Sequence, residues 1–276
     1  MKVRFLICSL FWVSFLSIKA QENFAAYANI KIEPTNKIDF NGTDIGVSYK
    51  KSLGTKFKIT NTVEYSNLKV NYELNPFDFY QGQDKFNQIQ NKFEFSHQIL
   101  EKTKWQFSII PTANFQQNLD LSDITVLGNI AFSQQLNSRF NLVIGVGRTS
   151  IFGAPKFNPI AALDYKFNAK MNLKVGFPDS HIRYSNNERN EFKLTNSFNG
   201  NFYHLDTSDT TDKAVLSQIT SAFEYDRNVS KNWFLNFKAG YDFNKKYKLL
   251  DSSNHQVYDY NIGNGYVLGI GIKYKQ

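Results

Sequence analysis

Histidine, serine and acidic residues in close spacing could support proton transfer, because an imidazole gains and loses a proton near neutral pH. The 276-residue chain contains four histidines: His97, His181, His204 and His255. None of them belongs to a G-x-S-x-G elbow or an H-E-x-x-H pair. The most site-like group is Asp179-Ser180-His181, for which a surface-loop histidine is the simpler interpretation. We therefore predict no catalytic residue, no metal site and no cofactor.

Thiol chemistry is limited by the position of the one cysteine. Cys8 lies in an N-terminal segment that has a basic start and an apolar run over residues 5–18. This run is too short to span a bilayer and is typical of a secretory signal peptide, with Ala20 before the cleavage point. We predict a signal peptide over residues 1–20 and one domain over residues 21–276 that has no thiol.

Composition and charge exclude several classes of protein. The formal net charge is +8, of which Lys2, Arg4 and Lys19 leave with the signal peptide, and the remaining bases are scattered along the chain. Nucleic acid binding needs a concentrated basic face, so we predict no nucleic acid partner. A mean hydropathy of −0.42 with 42% hydrophobic residues fits neither a polytopic helical membrane protein nor a disordered chain. The 26 Phe and 15 Tyr favour β-structure.

Apolar and polar residues alternate strictly in many segments of the chain. The clearest cases are residues 57–65, 105–109, 140–146, 233–243 and 266–274. A period of two indicates a strand whose alternate side chains share one face. Segments of about ten residues exceed the usual length of soluble strands and match the length needed to cross a membrane at a tilt.

Short polar turns alternate with longer connections, as in outer-membrane barrels. The short turns are predicted at residues 50–56, 100–104, 136–139, 167–170, 186–190 and 228–232. The longer loops include residues 74–87, 203–213 and 247–264. Six short turns joined by seven outer connections predict about 14 antiparallel strands. The alternative is 12, if the hairpin at Phe177-Pro178 and the segment Phe24–Ile32 are not strands.

These patterns predict an all-β fold, a single antiparallel transmembrane β-barrel in the outer membrane. Tyr266 and Tyr274 would then lie in the aromatic girdles at the two rims. A secreted soluble β-sandwich is the alternative, because it alternates in the same way with its apolar face buried. Strand length, the alternation of loop lengths and aromatic residues at strand ends favour the barrel.

An outward apolar face leaves a polar inner face of mixed charge. The bases assigned to it are Lys58, Lys92, Lys166, Lys174, Arg183, Lys193, Lys238 and Lys273, and the acids are Glu64, Glu94, Asp164, Glu224, Asp226 and Asp242. An ion filter would concentrate one sign at a constriction. The mixture therefore favours salt bridges between strands. Gly145, Gly147, Gly269 and Gly271 fall on the same face and would make room for longer side chains.

Three segments carry a resemblance to a known family: GFPDSHIRYS at residues 176–185, the charged hairpin at residues 221–243, and the closing segment GYVLGIGIKYKQ. With them the mature chain resembles uncharacterised outer-membrane β-barrel proteins of Gram-negative bacteria, classed as a domain of unknown function. The resemblance implies a fold and a location, and no functional residue. The closing segment is similar to the signal read by the barrel-assembly machinery, although Tyr274 is followed by two polar residues.

The expected function is a narrow passive, porin-like pore for a small solute. A surface-exposed scaffold for binding or adhesion is the first alternative, suggested by the aromatic loop NPFDFY at residues 75–80. A lipid-modifying enzyme of the outer membrane is the second. The expected partners are outer-membrane lipid and, during biogenesis, the barrel-assembly machinery.

Overall fold

The computed structural model describes residues 23–72, 83–206 and 211–276. The predicted signal peptide and the NPFDFY loop both lie outside these residues. Across the described ranges, no helix is long and apolar enough to cross a membrane.

Fifteen β-strands make up most of the described chain. They are β1 (Phe24–Glu33), β2 (Ile38–Leu53), β3 (Phe57–Tyr72), β4 (Lys85–Leu100), β5 (Thr103–Phe115), β6 (Ile124–Gln135), β7 (Phe140–Thr149), β8 (Lys156–Lys166), β9 (Met171–Phe177), β10 (Asp179–Asn187), β11 (Asn190–His204), β12 (Lys213–Ser230), β13 (Trp233–Leu250), β14 (Gln256–Asp259) and β15 (Gly265–Lys275). One 3-10 turn precedes β6, at Leu121–Asp123.

Fourteen of these strands form a closed antiparallel ring. Neighbours in the chain pair from β1 to β13, then β13 pairs with β15 and β15 pairs with β1. The short β14 pairs with β13 outside the ring. The closing pair runs in continuous register from Ala25 opposite Lys275 to Ile32 opposite Leu268. The predicted count of 14 is confirmed, because both the opening segment and the hairpin at Pro178 are strands.

The two ends of the barrel differ in their connections. All six predicted short turns lie at one end, together with the start of β1 and the end of β15. We call this the short-turn end, which in barrels of this class faces the periplasm, and the opposite end the outer end. Pro178 alone joins β9 to β10, at the hairpin predicted there. The predicted loop 247–264 was wrong in part, because β13 continues to Leu250 and β14 follows it.

The outward face is apolar and exposed, as a lipid-facing surface must be. Ile144 on β7 and Ile270 on β15 are 57% and 52% exposed. Exposed apolar residues recur at every second position along the strands of the ring. Aromatic rings cluster at the rims: Tyr274 contacts Trp233 at the short-turn end, and Tyr266 contacts Tyr241 near the outer end. The predicted orientation and girdles are therefore confirmed.

The barrel is wide at the short-turn end and narrow at the outer end. His204 at the end of β11 pairs directly with Phe115 at the end of β5. Because β6 to β10 lie between these strands in the ring, they do not reach this level. We call the nine-stranded outer part the narrow section and the fourteen-stranded remainder the wide section.

The connection between β7 and β8, residues 150–155, bridges the step between the two sections. The Ser150 hydroxyl donates to the Gly200 carbonyl of β11 at 3.0 Å. The Phe152 ring lies against Phe177 of β9 and Phe198 of β11, with ring centroids 6.1 and 5.7 Å away. This segment therefore passes over the short β9–β10 hairpin, and we call it the roof loop.

Neighbouring residues on β7 test the orientation of the barrel wall. Ile144 faces outward near the middle of its strand, whereas Val143 faces the interior. We expect Ile144→Lys to destabilise the barrel folded in lipid vesicles by about 2–4 kcal/mol, because it places a charge in hydrocarbon. The matched Val143→Lys should cost much less, because its ammonium group enters a polar interior. Denaturant titration of both variants in vesicles measures the difference, and equal losses would contradict the orientation.

Candidate functional site

One side of the wide section is lined by cross-linked charges. Lys193, Glu224 and Lys238 lie side by side on β11, β12 and β13. The Glu224 carboxylate is 3.6 Å from Lys193 Nζ and 3.5 Å from Lys238 Nζ. One step nearer the short-turn end, Lys273 Nζ is 3.8 Å from the Asp226 carboxylate. The structure thus shows the salt bridges predicted for the inner face along this side.

A second interior contact crosses a whole strand. The Tyr27 hydroxyl of β1 donates to the Glu64 carboxylate of β3, and Gln90 Nε2 of β4 donates to the same carboxylate at 2.8 Å. The Tyr27 ring passes over β2 at Gly46, where a Cβ atom would lie only 2.3 Å from a ring carbon. Gly46 was not among the glycines predicted on the inner face, although a glycine at such a position is the signal for a close approach.

A hydrophobic core fills the interior of the narrow section. The Phe86 ring of β4 stacks on Tyr203 of β11 with centroids 4.9 Å apart, and the Phe40 ring of β2 meets Tyr247 of β13 at 5.5 Å. Twelve buried side chains form this outer core: Ile38, Phe40, Leu68, Val70, Phe86, Tyr203, Ala214, Leu216, Tyr247, Leu249, Tyr260 and Ile262. The core closes the straight path through the outer end in this conformation.

A bulge on β13 brings part of this core inside. Asn244 has a φ of 50°, and the pairing with β12 shifts register at this point. Phe243 before the bulge faces outward, whereas Tyr247 and Leu249 after it are buried inside. Asparagine tolerates this left-handed backbone better than most residues. The predicted inner residue Asp242 lies just before the bulge.

Beneath the outer core lies a buried group of three ionised side chains, the ion triad Glu33, Asp242 and Lys245. Lys245 Nζ is 2.5 Å from the Glu33 carboxylate and 3.1 Å from the Asp242 carboxylate. The three side chains are 3%, 0% and 0% exposed in that order. The Thr220 hydroxyl donates to Asp242 at 2.7 Å, and Lys245 Nζ lies 4.6 Å from the Phe40 ring centroid. The triad therefore joins the polar interior to the outer core.

Two of the cavities in the described chain lie along the β4–β10 side of the wide section. The first, of about 360 Å³, is the lumen cavity. Its lining includes Lys58, Glu94 and the ion pair of Lys174 with Asp179, and Ile151 of the roof loop lies over it. The second, of about 510 Å³, opens at the short-turn end. We call it the basic vestibule, because its lining includes the bases Lys102, Lys104, Arg139, Lys166, Lys170 and Arg183 and a single acid, Asp164.

The four histidines do not come together. Trp105 Nε1 donates to His97 Nδ1 at 3.1 Å in the short-turn girdle. His181 lies within β10 and faces the interior, so the expected surface-loop position was wrong. His204 ends β11, and His255 is 82% exposed in the connection between β13 and β14.

Two further observations bear on site chemistry. In the connection that holds His255, hydrogen bonds from the backbone amides of His255 and Ser253 lower the pKa of the Asp251 carboxyl below its ordinary value. Among the residues that the structure describes, no group of three or more His, Cys, Asp or Glu side chains could hold a metal ion.

The family of the chain follows from its sequence. Residues 102–275, which begin just before β5 and run to the end of β15, match the family described as a domain of unknown function, DUF6268. The chain belongs to this family. No curated protein matches it in sequence.

Solved structures are similar to this DUF6268 chain at very low sequence identity. An outer membrane channel from Pseudomonas putida F1 has a TM-score of 0.51 at 7% identity, with 94% of this chain and 98% of that chain covered. The NanC porin has a TM-score of 0.44 at 7% identity, with 91% and 100% covered. The KdgM porin has a TM-score of 0.39 at 7% identity, with 90% and 98% covered. The first similarity and the exposed apolar exterior show an outer-membrane β-barrel.

The ion triad can be tested by removing its base. We expect Lys245→Met to lower the free energy of unfolding by about 3–5 kcal/mol, because buried Asp242 loses its one salt-bridge partner among the described residues and Glu33 keeps only Lys31, at 3.0 Å. Lys238→Met is the matched control on the same strand, where a half-exposed salt bridge contributes about 1 kcal/mol or less. Guanidinium unfolding in detergent micelles measures both. The combination of Lys245→Met with Glu33→Gln and Asp242→Asn should recover much of the loss, and no recovery would contradict the electrostatic cause.

Proposed function

We propose that the barrel is a narrow passive channel for small polar solutes, closed at its outer end in this conformation. The observation that carries the proposal is the ionised inner wall of the wide section, which surrounds two cavities. Charged side chains keep their hydration most easily beside water, so this wall suits an aqueous passage. Lys104 lines both cavities, which makes the vestibule and the lumen cavity neighbours.

Of the described parts of the outer end, we propose the roof loop as the part that opens. A passage through the narrow section would have to separate the twelve buried side chains of the outer core, at roughly 1.5–3 kcal/mol for each large apolar side chain. The roof loop has no strand pairing, and Ile151 alone of its residues lines the lumen cavity. The proposed passage therefore runs from the vestibule through the lumen cavity and leaves beneath residues 150–155.

Conductance in planar bilayers tests this function. We expect the wild-type chain to give small current steps, and replacement of Ile151–Ala154 by two glycines to enlarge them several-fold, because the covering of the lumen cavity is shortened. The matched control replaces Ser252–His255 by two glycines in an outer connection that lines neither described cavity. It should leave the steps unchanged. If neither wild type nor the roof-loop variant conducts, the channel proposal is wrong.

A surface-binding scaffold is the second candidate. It is favoured by the close packing and hydrogen bonding of the outer end. Besides the outer core, the Asp206 carboxylate accepts hydrogen bonds from the backbone amides of Gln117 and Asn118, at 3.2 and 2.8 Å. These contacts tie the β5–β6 connection to the β11–β12 connection. A scaffold that only binds would stay silent in bilayers with and without the roof loop, and would lose ligand retention when an outer loop is replaced.

We propose no catalytic step for the chain. Unchanged phospholipid and lipopolysaccharide profiles in a deletion strain would support this assignment, and an altered acyl pattern would oppose it.

Outer-membrane lipid is the proposed solvent of the apolar exterior. The barrel-assembly machinery is the proposed partner that reads β15 during biogenesis.

A further inference from the structure

The charges inside the barrel are segregated in space. On the β11–β13 side, each base considered above has a carboxylate within 4.0 Å, as in the ladder of Lys193, Glu224 and Lys238. In the basic vestibule, five bases form no salt bridge with any described residue: Lys102, Lys104, Arg139, Lys166 and Lys170. Arg183, the sixth base, lies 3.8 Å from Glu191 and donates to Asn172 at 2.8 Å.

The single acid of the vestibule is already engaged. The Asp164 carboxylate accepts a hydrogen bond from Asn141 Nδ2 at 3.1 Å. Two further bases on the inner face near this end, Lys50 of β2 and Lys58 of β3, also form no salt bridge in the described chain. Several like charges around about 510 Å³ of open space repel one another. In a salt-bridged wall, acidic side chains would lie between these bases. An anion in this space would relieve the repulsion.

We propose that the basic vestibule is a binding site for small multivalent oxyanions, with carboxylate or phosphate groups, at the periplasmic mouth of the barrel. Lysine and arginine supply donors on several sides, from the turns after β4, β6 and β8 and from the inner face of β5 and β8. Lys104 also lines the lumen cavity beside Lys58, so an anion bound in the vestibule meets further bases along the proposed passage. The site deepens the proposed channel function by naming its solute class.

Binding is measured without current, by calorimetry on the full chain in neutral detergent at low salt. The probes are citrate for carboxylates, inorganic pyrophosphate for phosphates, and spermidine as a cation of similar size. We expect at least one oxyanion to bind and spermidine not to bind. The preferred oxyanion then identifies the group that the site recognises. Failure of both oxyanions to bind overturns the proposal.

A triple variant locates the site. Lys104→Gln, Lys166→Gln and Lys170→Gln together should weaken oxyanion binding at least about tenfold, because three charges near the ligand are removed. Lys51→Gln is the matched control: Lys51 lies at the same end on β2, but on the outward face with Ile45 and Val47. It should leave affinity unchanged. An equal loss in the control, or none in the triple variant, overturns the site.

Three further measurements, on a single variant, on the wild type and on the roof-loop variant, complete the test. If the triple variant does not fold, Lys166→Gln alone should still weaken binding several-fold, and wild-type affinity should fall about tenfold or more when salt rises from low to physiological strength. The roof-loop variant should prefer anions in its reversal potential. Binding without conductance would reject the channel and keep the site, whereas conductance without binding would reject the site and keep the channel.

Discussion

Closure of the hydrogen-bonded ring is the constraint on which the rest of this structure depends. Hydrocarbon offers no partner to a free backbone amide or carbonyl, so a strand that crosses a membrane must be paired on both sides. The pairing of β1 with β15 removes the last open edge of the ring. Once the ring is closed, each strand has one face toward lipid and one toward the interior, and the alternation of apolar and polar residues follows from that division.

The barrel combines two kinds of interior. The wide section holds ionised side chains and open space, as expected for a channel wall. The narrow section is packed with apolar side chains, as in a soluble protein, and it forms because β5 meets β11 directly. The ion triad lies where these interiors meet, and its two carboxylates are matched by Lys245 and by hydrogen bonds. Burial of charge is tolerated at this level because every member has a partner.

The location of the charges matters more for function than their number. The inner face has bases and acids in similar numbers. From the sequence alone, this balance predicts a neutral wall cross-linked by salt bridges. In space, the acids Glu224 and Asp226 lie among bases on the β11–β13 side, and the acids Glu33 and Asp242 lie around Lys245. In the vestibule, the bases are left in excess over its one acid, Asp164. A single sign of charge around an opening is the arrangement that attracts and selects ions.

Much of the fold could be read from the sequence, because strand period and turn chemistry are local properties. The alternation of residues 57–65 indicates the two faces of that strand, and polar residues mark the six short turns. The outer core could not be read in this way, because the single left-handed residue Asn244 reverses the faces of all that follows on β13. The vestibule and the narrow section also depend on contacts between residues far apart in the chain, such as Phe115 with His204. Local patterns therefore specified which face each strand turns to lipid, whereas long-range pairing specified what closes the barrel and where its charges collect.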